Sequence, residues 1–192
     1  MAKKQDFRPD KPTTSLLSHL ILTKKQQKTL LKWVFYGLLL VALSVVQDVL
    51  LCRIRIFGAT TELVPCGIFL ICLAEGLEKG SVFSLIAACV YLFSGTAAGN
   101  YVIVFITALA VVVTWFRQSY LQKGFSATML CVAAAMTVYM LAVFFIGLFF
   151  GQTTGGRFFS HLLTAVLTLI LAPAIYPIIN AIHAIGGEAW KE

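Results

Sequence analysis

Residues 125–150 read FSATMLCVAAAMTVYMLAVFFIGLFF, twenty-six positions without a charged side chain. The hydrocarbon core of a bilayer is about 30 Å thick and takes roughly 20 helical residues, so this stretch crosses it with tilt to spare. On its N-terminal side, the polar loop Arg117 to Gly124 separates it from a second span, Tyr101 to Phe116. On its other side the loop Gly151 to Arg157 leads into Phe158 to Ile185, an apolar run interrupted by Pro173 and Pro177. Each proline removes a backbone donor, so a kink is expected in this last span. Near the start, Trp33 to Leu51 forms another span, closed by Arg53 and Arg55.

The composition agrees with that reading. Of 192 residues, 59% are hydrophobic and 12% charged, with a mean hydropathy of +0.90. Soluble domains carry about 25% charged residues, so the soluble-enzyme class is excluded. The middle of the chain is less regular. Leu63 to Ala74 and Ser81 to Phe93 are short apolar runs, of the length that fits a re-entrant segment as well as a span. Extending the first back to Ile54 and the second on to Gly99 gives two full spans, the reading preferred to a re-entrant pair. The expectation is an all-α integral membrane protein with about six transmembrane helices in one bundle. Residues 1–32 form a basic tail and an amphipathic interfacial helix, 33–185 the bundle, and 186–192 a short tail.

Charge placement orients the bundle. The formal net charge is +7, and eight of the fifteen basic residues precede Trp33. Leu16, Leu17, Leu20 and Ile21 share one side of the segment 13–32, while Lys24, Lys28 and Lys32 recur every four residues. That pattern suits a helix lying on anionic lipid rather than a nucleic-acid surface. With the N-terminus inside, twelve basic residues fall on the cytoplasmic side, and only Arg53, Arg55 and Arg157 lie outside. This bias puts both termini in the cytoplasm.

Chemical signatures are sparse. No P-loop, zinc-protease, nucleophile-elbow or dinucleotide-binding motif is present, so no enzymatic activity and no cofactor are expected. The five cysteines include no C-x-x-C pair and read as small hydrophobes; neither a disulfide nor a metal is expected. His19, His161 and His183 are scattered and read as interfacial. Asn180 and His183 are placed to meet carbonyls freed by the prolines, or the interface itself. Two ionisable residues stand inside apolar sequence, Asp48 and Glu75. Such residues are functional candidates by default, set against placement at headgroup level. Gly76, Gly80, Ser84 and Ala88 recur every four residues, a face of small side chains that lets helices approach closely in lipid. It serves either packing within the bundle or a partner's helix.

Several stretches carry a resemblance. A basic N-terminus and first span precede Thr61-Glu62-Leu63-Val64-Pro65, then Glu75-Gly76-Leu77-Glu78-Lys79-Gly80-Ser81-Val82-Phe83. Tyr91-Leu92-Phe93-Ser94-Gly95 follows, with Ala172-Pro173-Ala174-Ile175-Tyr176-Pro177 late in the chain. This order resembles the MreD family of bacterial rod shape-determining proteins over roughly residues 33–180. The aspartate that family often carries near Phe93 is absent. The resemblance implies a non-enzymatic plasma-membrane scaffold of cell elongation and peptidoglycan synthesis. Its implied partner is the bitopic protein MreC and, indirectly, the actin-like MreB and RodA with a penicillin-binding protein. The competing class is the substrate-binding membrane subunit of an energy-coupling-factor vitamin importer, which has a similar length and span number.

Overall fold

An apolar chain in lipid has no water to satisfy its peptide groups, so it folds into helices whose hydrogen bonds close internally. The computed structural model describes residues 24–53, 57–95, 97–121 and 124–185. They form α1 (Lys24–Val45), α2 (Leu63–Glu75), α3 (Leu77–Phe93), α4 (Tyr101–Tyr120), α5 (Phe125–Phe149) and α6 (Phe158–Ile185). A π-helical turn, Val46–Leu50, and a 3-10 turn, Leu51–Arg53, prolong α1. Four helical segments are long and apolar enough to cross a membrane: Gln26–Arg53, Tyr101–Tyr120, Phe125–Phe149 and Gly155–Ile185. The chain is an all-α membrane protein. The expected tails 1–12 and 186–192, and residues 13–23 of the expected interfacial helix, lie outside the described residues.

The organising element is the shortest of these apolar helices. All eleven residues from Leu63 to Leu73 are buried, and α2 touches each of the other five helices. A helix apolar on every side belongs in the centre of a bundle. At 1.5 Å per residue its 13 residues span about 20 Å, less than the hydrocarbon thickness. The expected extension back to Ile54 does not occur: residues 57–62 are not helical, and Phe57 and Gly58 have φ of 50° and 78°. Likewise α3 stops at Phe93 rather than Gly99, because Gly95 at φ 77° closes it with a bond from its N–H to the Leu92 carbonyl.

The small-residue face points inward. Gly80, Ser84 and Ala88 are buried on α3, and a Cβ at Gly80 would lie 2.9 Å from the Cys72 carbonyl oxygen and 3.0 Å from its Cα. The helices α2 and α3 therefore meet backbone to backbone. Gly76 is not part of that stripe; at φ 86° it is the left-handed joint between the two helices.

Two further boundaries differ from expectation. Residues 24–32 and the first span are one helix, with no break before Trp33. Arg117 lies inside α4 rather than opening a loop, because the helix continues to Tyr120. The last span has its expected bounds: α6 covers Phe158–Ile185 with both prolines inside it, and Pro173 and Pro177 face outward while Ala172, Ile175 and Ile179 face the core.

Candidate functional site

Helix ends leave backbone groups without partners, and in lipid those groups need side chains. Both ends of α2 are served in this way. At its start, Gln47 in the π turn of the first helix is buried and accepts a hydrogen bond from the Val64 N–H at 3.1 Å. The next position is Pro65, which has no N–H to satisfy. The Glu62 N–H donates to Thr168 Oγ1 of α6 at 3.0 Å. At its end, Arg117 of α4 donates from its guanidinium to the Leu73 carbonyl at 2.6 Å. A cation there also complements the negative end of the helix dipole.

Glu75, the last residue of α2, is the focus. Its side chain is wholly buried and accepts three hydrogen bonds from two other helices. Lys32 Nζ of α1 lies 2.7 Å from one carboxylate oxygen. On the other oxygen, the Tyr36 hydroxyl donates at 2.7 Å, and His183 Nδ1 of α6 lies at 2.9 Å. Lys32 and Tyr36 are one turn apart, so a single face of α1 supplies both. Trp33, Tyr36 and Phe83 cover the cluster, with ring centroids 5.5 to 6.0 Å apart. Beside Arg117, a cavity of about 20 Å³ lies between Leu70, Thr128, Tyr176 and Asn180, room for a single water.

This arrangement ties helices together. Glu75 joins α1, α2 and α6, and Arg117 adds α4, all at one end of the bundle. Phe125 at the start of α5 stacks on Tyr176 at the same end, with centroids 5.0 Å apart. At the opposite end Phe144 of α5 meets Phe158 and His161 of α6. The six helices thus alternate in direction.

Of the sequence candidates, Glu75 lies at the centre of the cluster, and the small-residue face packs against its helix from α3. Asp48 is remote, half-exposed at the other end of α1, with its carbonyl oxygen 2.6 Å from Cys52 Sγ. Sequence reasoning misassigned Lys32 to the lipid surface, and it is only 3% exposed. His183 was read as interfacial and is buried as well. The usable signal was Tyr36: a lysine and a tyrosine four apart at the head of an apolar span present two donors to one buried acceptor.

Neither a family model, nor a curated protein, nor a solved structure matches this chain.

Proposed function

We propose that this chain is a non-enzymatic scaffold in the bacterial plasma membrane, holding an MreC-like bitopic partner within the elongation machinery. The observation that carries the reading is the use to which the buried charges are put. Lys32, Glu75, Arg117 and His183 bind one another or helix-end carbonyls, which fixes helices in place rather than exposing chemistry to a substrate. The surface left to partners is apolar. Gly80, Ser84 and Ala88 are already buried within the bundle, so the partner's helix uses another face. The groove of about 400 Å³ between α1 and α3, lined by Trp33, Val82, Phe83 and Ile86 together with Glu78 and Lys79, supplies mainly apolar area for it.

In this reading the chain crosses the membrane six times. The short helix α2 is prolonged by the irregular segment 57–62, in which Ala59 is buried and the Glu62 N–H is bonded to Thr168 of α6, while Phe57 and Gly58 are exposed. The twelve-to-three distribution of basic residues puts the Glu75 end and both termini in the cytoplasm. Cysteine labelling at Asn100 and Gln152 reports the outer side, and at Gln122 the inner side. A cytoplasmic signal at Gln152 ends the six-span map.

Depletion tests the function itself. Rod-shaped cells become rounder and wider, and an MreC-like protein co-purifies in mild detergent. Val82→Trp fills the groove and reduces that co-purification while the isolated protein stays folded. Unchanged cell shape together with a tightly retained vitamin moves the assignment to the importer subunit.

A further inference from the structure

The end of the bundle opposite Glu75 holds a second buried glutamate, which the scaffold reading does not use. Glu62 immediately precedes α2, and its Oε2 is enclosed without a hydrogen-bond partner. The adjacent Thr61 Oγ1 is in the same condition. Each helix packed around α2 contributes a polar group to this region. Tyr139 of α5 sits against the Glu62 carboxyl, Tyr101 of α4 lies within its electrostatic reach, and Tyr91 of α3 adjoins Tyr139. From α6 comes Thr168, whose hydroxyl is already committed to the Thr164 carbonyl; His161 lies two turns farther out, packed on Phe144. From α1 comes Gln47, committed to Val64, with Asp48 as its neighbour in the π turn. Among the described residues no lysine, arginine or histidine pairs with Glu62.

An ionised carboxylate taken from water without a counter-charge costs several kcal/mol, and proteins avoid it by neutralising or pairing the group. A phenol supplies one hydrogen bond but no charge. An enclosed carboxylate oxygen without a donor is the half of a site that a positive species completes. We propose that Glu62 binds one positive charge from the medium, a proton or a small monovalent metal ion, within this cluster of tyrosines. Hard monovalent ions and protons share the chemistry required, since both are held by oxygen alone.

Infrared spectroscopy and thermal unfolding of the purified full chain in detergent separate the two sources. If a proton is the ligand, the wild type at neutral pH shows a carboxylic-acid carbonyl band that Glu62→Gln removes. If a metal ion is bound, that band is absent; sodium chloride then raises the melting temperature relative to choline chloride, and Glu62→Gln abolishes the rise. Tyr139→Phe keeps the carboxyl and removes its neighbour. It shifts the acid band or weakens the sodium effect, so the test stands even if the glutamine variant fails to fold. A wild-type protein with neither an acid band nor a sodium response overturns the proposal.

Discussion

Two glutamates bracket one helix, and they are buried in opposite ways. Glu75 at the end of α2 has a lysine, a tyrosine and a histidine within hydrogen-bonding distance. Glu62 at its start has a tyrosine, and one oxygen with no partner at all. The same residue type in the same apolar surroundings serves two purposes, decided by what the neighbouring helices bring. Where they bring charge, the carboxylate becomes a tie between helices. Where they bring only oxygens, it becomes a place for something else to bind.

The comparison breaks most visibly at Lys32. Lys32→Met removes the cation and leaves Glu75 buried beside two donors, a change that costs about 3–5 kcal/mol for a buried pair. Such a loss is a large share of a domain's total stability, so the variant is expected to elute as aggregate in fluorescence-detected gel filtration. Adding Glu75→Gln to that variant removes the stranded charge and recovers most of the monodisperse peak. Equal damage in the single and double variants would show that Lys32 acts through packing alone.

The support beneath Glu75 comes next. Gly80→Ala drives a Cβ into the Cys72 backbone, which cannot swing away as a flexible side chain would. Overpacking of this kind reaches about 3 kcal/mol. It also displaces α2 just where Glu75 leaves it. Val82→Leu, two residues along on the outward face, is expected to melt with the wild type. If both variants melt alike, close approach of α2 and α3 contributes little to holding the cluster.

The sequence was most informative where one helix carried its own signal. The uncharged run 125–150 needs nothing from elsewhere in the chain to read as a membrane helix, and α5 covers it to within a residue. The spacing of Gly80, Ser84 and Ala88 likewise identified a close-packing face. What escaped were features made by pairs of helices. Lys32 looks like its neighbour Lys28, which is exposed, until α2 places Glu75 beside it. Arg117 looks like a loop charge because its partner, the Leu73 carbonyl, has no signature in a sequence. The start of α2 was legible as the start of the apolar run at Leu63, and was lost only when that run was extended back to Ile54 to reach the length of a full span. What hydropathy does not see is that side chains of Gln47 and Thr168 satisfy the N–H groups there, so a helix shorter than the bilayer can end at that point.

That starting end gives a smaller expected effect. Gln47→Leu deprives the Val64 N–H of its acceptor in a buried setting, which costs about 1–2 kcal/mol. Hydrogen exchange is the direct measure: protection of the first turn of α2 falls, while protection near Glu75 is retained. Uniform loss of protection along α2 would mean that the helix opens as one unit and that its two ends cannot be treated separately.

The smallest effect is expected at Glu62, and it contrasts most sharply with Glu75. Glutamine matches glutamate in shape and is neutral, so it costs little at a site that is already neutralised by a bound positive species. At Glu75 the same change leaves Lys32 buried without its counter-ion. Glu62→Gln should therefore melt within about 0.5 kcal/mol of the wild type, the range for changes that disturb no special feature. Glu75→Gln should lose several times that amount. Both melts are to be recorded in the same buffer without sodium, so that an ion bound at Glu62 does not mask the comparison by stabilising the wild type through mass action. A pronounced loss in Glu62→Gln under those conditions would mean that the carboxylate has a structural cation partner of its own, and the two ends of α2 would then be built on one plan.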